Sequence, residues 1–431
     1  MARKHLPTAN VKKRNVTRAS KKFFAVLGPG LITGAADDDP SGISTYSVAG
    51  AAYGYATLWI ALLTFPLMVA IQLMCARLAM VTGCGLGAAV RNYYPRWVLW
   101  GACSILVVAN VINIGADLGG MAEATQLVTG VQPHIWIPVY ALGILALLFW
   151  SSYKLMARIF KWMTLVLFAY VLASFFAHVN WRQALAVTFL PRMEWSRGFL
   201  AVLVAILGTT ISPYLFFWQA SEEVEEERER HPTLAERKGS TKRELNSARA
   251  DTITGMFFSN LIMYFIILTT AATLHANGHT HITTARQAAE ALRPLAGNWA
   301  YLLFTLGLIG TGMLGVPVLV GSCAYAVTEG AAWRGSMSDK PKSAREFYGV
   351  MAVAMALGVA LNYFGFNAVA LLFWSAVING LLAPPLILLV ILLTSKQQVM
   401  GKHVNPPLLK YLGWATFAVM TAAAIAMLAT S

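Results

Sequence analysis

The sequence predicts an all-α membrane protein of about eleven transmembrane helices, the first ten forming two five-helix repeats that cross the bilayer in opposite senses. Three observations predict it. Hydrophobic residues make up 57% of the 431 and charged residues only 12%, whereas a soluble chain carries about 25% charge. Uncharged apolar runs of roughly 20 residues, the length that spans a bilayer as helix, recur along the whole chain. Pro40 and Pro213 interrupt two of these runs, each the first in its half.

The runs lie at about 23–53, 56–81, 97–127, 134–152, 156–178, 198–220, 250–274, 299–329, 346–366, 368–394 and 408–430. The first continues past the length of a signal-peptide apolar region and is followed by no cleavage site and soluble domain, so it is expected to remain as a span. Residues 1–22 form a basic tail in which Arg3, Lys4, Lys12, Lys13, Arg14, Arg18, Lys21 and Lys22 precede that span. Such a cluster stays cytoplasmic, which orients the N-terminus inward in a plasma or inner membrane. Alternating sides from there leaves only Arg182, Arg192, Arg197, Arg286 and Arg293, of 33 Lys and Arg, on the outer side. The net charge of +14 therefore belongs to membrane flanks and not to a nucleic-acid surface.

Residues 23–178 and 198–394 form the two repeats, and because five is odd the second is inverted relative to the first. The charged stretch 221–249 joins a run of glutamates (Glu222, Glu223, Glu225, Glu226, Glu227, Glu229) to a basic close (Lys238, Lys242, Arg243, Arg249), and is expected to be a helical extension with a solvated connector. The last span, 408–430, falls outside both repeats. Cys75, Cys84, Cys103 and Cys323 show no metal-ligand spacing and read as small buried hydrophobes.

Asp37, Asp38 and Asp39 stand in the middle of the first run, and no Lys, Arg or His occurs between Lys22 and Arg77 to neutralise them. One carboxylate at the centre of a membrane helix costs about 2.5–3.5 kcal/mol on insertion scales, so the cluster requires water, a proton or a cation. The halves flanking it, 23–36 and 43–56, are each too short to span alone, which puts the aspartates near mid-membrane. Pro40 breaks the helix, and the carbonyl end of the first half-helix favours a cation. Asp39, next to the break, is the expected ligand, with Asp37 and Asp38 as further members of a metal or proton pathway and Pro40 and Gly42 as elements of the break.

The sixth span is interrupted at Ser212-Pro213-Tyr214, with no charge between Arg197 and Glu222. Paired broken helices in two inverted halves mark a transporter's binding site. In the third span Asn110, Asn113 and Asp117 share one helical face, as a polar helix contact or as part of a pathway. Asn379 in the tenth span reads either as cavity-lining or as an interhelical bond. His275, His279 and His281 lie in the loop before the eighth span and read as solvated, with metal capture as the alternative.

The segments GPGLITGAADDDPSG (28–42) and GTTISPYLF (208–216) resemble the first and sixth helices of the Nramp family of divalent-metal transporters. The resemblance covers the ten-helix core. It implies the leucine-transporter type of inverted repeat and alternating-access transport of manganese, iron or related ions, commonly with protons and with no covalently bound cofactor. The family pattern Asp-Pro-Gly-Asn is here Asp39-Pro40-Ser41-Gly42, and Met-Pro-His is here Ser212-Pro213-Tyr214. The resemblance puts the family's carbonyl ligand at Thr209 and its methionine position at Ser212, so the expected metal ligands are Asp39, Thr209 and Ser212, with Tyr214 in place of the histidine. Loss of the thioether hardens the site, which suits manganese or magnesium. Asp117 matches the family's proton-pathway aspartate, but Gly120 stands where its glutamate partner is usual and the ninth span has no interior arginine, so the relay is reduced.

Two alternatives remain at this stage. An ion-coupled transporter of a small organic solute would use the same fold, although no cluster of carboxylate-binding donors accompanies the aspartates. An intramembrane aspartyl enzyme would need Asp117 close to Asp39.

Overall fold

The computed structural model describes residues 28–150, 165–230 and 240–430, and outside their turns these described residues are helical. The basic tail, the beginning of the first span (23–27), the join of the fourth and fifth spans (151–164) and the middle of the charged connector (231–239) lie outside the described residues.

The first span is two helices, α1 (Pro29–Asp37) and α2 (Pro40–Tyr53). Pro40 has no N–H to donate and drives the preceding residue out of the helical region, and Asp39 is accordingly extended at φ −68°, ψ 172°. The same proline, with its preset φ, then opens α2. Gly54 at φ 57° ends α2, and Gly83 at φ 66°, in a left-handed turn, ends α3 (Trp59–Thr82), because a positive φ costs glycine least.

A short α4 (Leu86–Tyr93) leads into α5 (Arg96–Thr129), α6 (Pro133–Trp150) and α7 (Phe168–Phe176). The chain then turns by 118° into α8 (Trp181–Phe189). The sixth span is again broken, into α9 (Arg197–Thr210) and α10 (Pro213–Arg230). Thr241 and Glu244 form a capping box that starts α11 (Lys242–Thr273). There follow α12 (Ala300–Ala331), α13 (Arg345–Leu361), α14 (Ala368–Ser395) and α15 (Pro407–Ala429). Among the described residues nine helices are long and apolar enough to cross a membrane, and the bent α7/α8 pair makes a tenth if taken as one span. The broken α1/α2 pair is the expected first span, and the expected fifth, 156–178, is described only from residue 165.

Small residues set the packing that matters for the site. A Cβ on Gly34 of α1 would lie 2.3 Å from the Gly255 carbonyl carbon of α11, and one on Gly255 would lie 2.1 Å from the Gly30 carbonyl oxygen. In the other half, a Cβ on Gly208 of α9 would lie 2.1 Å from the Ala376 carbonyl oxygen of α14. Each broken helix is thus held backbone to backbone against a continuous one, the close approach by which membrane helices gain packing energy.

The acidic run on α10 is less solvated than its composition suggests. Glu223 and Glu225 are buried, and Glu225 accepts hydrogen bonds from the Tyr325 hydroxyl, from Met337 N at 3.0 Å and from Ser338 Oγ at 2.6 Å. A buried carboxylate needs such donors, and here they tie the segment after α12 to α10.

The α1/α11 contact predicts a stability difference between two glycines. Gly34→Ala is expected to cost about 1–3 kcal/mol through overpacking and to lower the thermal unfolding midpoint in detergent. Gly143→Ala, where nothing lies within 4 Å, is expected to leave it unchanged, and fluorescence melts of the two purified variants make the comparison.

Candidate functional site

Asp39 is the N-cap of α2 and is 1% exposed. Its Oδ1 accepts from Gly42 N at 2.8 Å and from the Ser41 hydroxyl at 2.7 Å. Its Oδ2 accepts from Asn113 Nδ2 of α5 at 3.0 Å and from the Tyr214 hydroxyl of α10 at 3.2 Å. Tyr214 shares its single proton with the Ala36 carbonyl at 3.0 Å, at the end of α1. One carboxylate therefore joins both halves of the first span to the third and sixth.

Asp117 lies beside this centre, its Oδ1 accepting from Ser41 N at 3.1 Å while its Oδ2 has no hydrogen-bond partner. Ser41 thus binds both acids, which is the proximity that the enzyme alternative requires. On the same face of α5, Asn110 donates to the Leu319 carbonyl of α12 at 3.0 Å. The three polar residues of α5 divide their roles: Asn110 is a helix contact, and Asn113 and Asp117 face the break.

The two breaks meet at Gly42. A Cβ there would lie 3.1 Å from Thr209 Oγ1 and 3.3 Å from the Asp37 carbonyl oxygen, so glycine admits α9 close to the start of α2. Ser212 turns its hydroxyl back onto the last turn of α9, 2.6 Å from the Gly208 carbonyl and 2.8 Å from that of Thr209. Thr209 O is therefore already in contact with a donor, although a carbonyl oxygen retains a second lone pair. Asn379 is buried in α14 with its Oδ1 unpartnered, next to the Gly380 that packs on Val204.

Asp37 and Asp38 face α11, away from the donors that hold Asp39. The Ser259 hydroxyl lies 2.5 Å from Asp37 Oδ2 and 3.4 Å from Asp38 Oδ1. At the beginning of α1, Asp251 of the same helix α11 accepts from Gly28 N at 2.9 Å and from Gly30 N at 2.7 Å, satisfying helix-terminal donors that lack intrahelical partners. Thr33 of α1 approaches Gln219 Oε1 of α10 at 2.6 Å. These contacts close the bundle below the break, and all three aspartates are at most 1% exposed.

Asp251, Ser259 and Gln219 were absent from the sequence reading. Asp251, Gly255 and Ser259 follow at four-residue intervals, which lines one helical face with an acid, a close contact and a hydroxyl. That spacing is the signal the sequence carries for this face, and it is a weak one because α11 contains no break. The three histidines of the loop do not gather: His275 Nδ1 is 2.8 Å from the Ala51 carbonyl oxygen, and His279 and His281 line, with His178, a separate cavity of about 990 Å³. Among the described residues no three His, Cys, Asp or Glu side chains converge as a metal cluster. A cation at the break would be held by a carboxylate with hydroxyl, carbonyl and water oxygens, which is a hard ligand set.

Comparison with known proteins agrees with this architecture. The family model described as natural resistance-associated macrophage protein-like, Nramp, matches residues 30–430. A divalent metal cation transporter MntH of Erwinia tasmaniensis is 34% identical over 312 residues, covering 70% of this chain and 71% of that protein. One of Brucella suis biovar 1 is 26% identical over 423 residues, covering 96% and 89%. Among solved structures, the Eremococcus coleocola manganese transporter in complex with an aromatic bis-isothiourea substituted compound superposes with a TM-score of 0.73 at 17% identity, over 94% of this chain and 86% of that one. MhsT in complex with L-phenylalanine does so with a TM-score of 0.60 at 13% identity, over 93% and 97%. With two inverted, broken spans meeting at a buried aspartate and a family match running almost from end to end, this chain belongs to the Nramp family.

Proposed function

We propose that this protein carries hard divalent cations, manganese or magnesium, across a membrane by alternating access, with Asp39 as the charged ligand. The observation that carries this reading is the setting of Asp39: a buried carboxylate where two broken helices meet, surrounded by oxygen and amide groups and with Ser212 at the family's methionine position. Relatives named as divalent metal cation transporters and a manganese transporter of the same fold support it. They are transporters and not enzymes, so the proximity of Asp117 to Asp39 is read as part of an ion pathway.

In this reading the lysine and arginine distribution puts the N-terminus and the Asp251 latch on the cytoplasmic side. Release of α1 from α11 would then open the site inward. The protein ligands are Asp39, the Thr209 carbonyl and, after rotation of its hydroxyl, Ser212. Tyr214, whose hydroxyl donates to Asp39, stands near enough to adjust the site's polarity.

Asp39 is a cap as well as a ligand, so its removal to alanine would cost about 1 kcal/mol of helix stability in addition to any effect on transport. Asp39→Asn keeps an acceptor for Gly42 N and loses the charge. It is expected to fold with a lowered melting point, since the amide nitrogen must face one of the two donor pairs, and to reduce manganese uptake into proteoliposomes to background; wild-type uptake by the folded variant would refute the site.

Ser212→Met introduces a thioether and is expected to raise affinity for cadmium relative to magnesium, since sulfur favours soft ions. Isothermal titration of both metals against the same preparation gives the ratio, and a shift toward magnesium would mean that position 212 does not face the ion.

The proton relay is reduced to Asp117. Gly120 packs against Leu372, Tyr214 donates to Asp39, and α13 has arginine only at its first residue, Arg345. Uptake is therefore expected to follow the membrane potential, about 2.3 kcal/mol per charge at 100 mV. A pH dye inside liposomes at clamped potential is the check: acidification that scales with metal flux and disappears in Asp117→Asn would establish coupling and contradict this expectation.

A further inference from the structure

We propose that Asp37, Asp38 and Ser259 form a second subsite for a hard divalent cation, on the α11 side of the broken first span and distinct from the Asp39 centre. The contrast between the aspartates carries this. Each oxygen of Asp39 faces two donors. Asp37 and Asp38, equally buried, converge on one hydroxyl.

A hydroxyl has one proton to give. At 2.5 Å from Asp37 Oδ2 and 3.4 Å from Asp38 Oδ1, Ser259 satisfies the nearer carboxylate and turns a lone pair to the other. Asp37 Oδ1 has no partner at all. The fully buried Tyr46 hydroxyl also has no hydrogen-bond partner. Polar atoms left bare at this depth cost free energy in the absence of a partner.

No basic residue on the elements concerned supplies that partner. The first span has none before Arg77, and on α11 the nearest, Arg249, is ten residues from Ser259, about 15 Å along the helix. Asp37 is also the last residue of α1, where the helix presents its carbonyl end and partial negative charge. Two carboxylates, a serine oxygen and helix-end carbonyls form an all-oxygen set with a charge that a divalent ion neutralises and a monovalent ion only halves. That donor chemistry suits magnesium, manganese or calcium over softer metals.

The subsite is independent of which metal Asp39 selects, and metal stoichiometry separates the two. Titration of purified protein in detergent with Mn²⁺, following free Mn²⁺ by electron paramagnetic resonance, is expected to give two bound ions per wild-type chain. The variant Asp37→Asn/Asp38→Asn should retain one, and Asp39→Asn should retain one. Loss confined to Asp37→Asn/Asp38→Asn would uphold the subsite while refuting the Asp39 reading. A single bound ion in wild type, unaffected by Asp37→Asn/Asp38→Asn, would overturn the subsite.

Ser259→Cys provides a second measurement should the double variant fail to fold. It changes one atom, and Cd²⁺ should then produce a sulfur-to-metal charge-transfer absorption above that of the wild type, with its four native cysteines. No added absorption in folded Ser259→Cys would equally overturn the subsite. Na⁺ in place of Mg²⁺ as competitor tests the charge argument in Asp39→Asn: displacement of its remaining Mn²⁺ by Mg²⁺ but not by equimolar Na⁺ is the expected result, and equal displacement would refute the divalent assignment.

Discussion

A proline that breaks a membrane helix leaves backbone groups without partners where no water reaches them, and Asp39 is the acceptor around which this structure resolves that deficit. It caps the first turn of α2 through Gly42 and Ser41 and takes Asn113 from α5 and Tyr214 from α10. Hydrogen bonds to a charged group contribute about 1.5–3 kcal/mol each, so the break becomes a junction and not a weak point. In the transport reading proposed here the same carboxylate is the first contact for a cation, which would replace those donors in compensating its charge.

The two sides of the broken span are built differently. Toward α5 and α10 both oxygens of Asp39 and one of Asp117 are accounted for, while Asp117 Oδ2 and Asn113 Oδ1 are left without a partner. Toward α11 the backbones touch through Gly30, Gly34 and Gly255, while the acids between them share a single hydroxyl. Close backbone contact fixes the position of α1, and hydrogen bonds from Gly28 N and Gly30 N to Asp251 close its beginning. Two hydrogen bonds to a carboxylate, about 1.5–3 kcal/mol each, make a closure of limited strength, which suits the alternating access proposed here.

Burial of Glu223 and Glu225 shows where composition misleads. Six glutamates in eight residues read as a solvated face, yet Tyr325, Met337 N and Ser338 supply donors that bring Glu225 inside. A charge run records what a segment carries and is silent about what a distant loop brings to meet it. The third span made the same point in reverse, since its polar face served both as a helix contact at Asn110 and as part of the site at Asn113 and Asp117.

The sequence by itself determined the spans, the two breaks and the isolation of the aspartates, because span length, proline's missing N–H and the absence of a nearby basic residue are local properties of a chain in a bilayer. It also pointed to Asp39 through its place beside Pro40. The tertiary structure alone decided which acid is satisfied and which is not. Asn113 reaches Asp39 across 74 residues and Ser259 reaches Asp37 across 222. Three adjacent aspartates are chemically identical in a sequence; they become different only when the packing of α5, α10 and α11 surrounds one with donors and leaves the other two to share a hydroxyl.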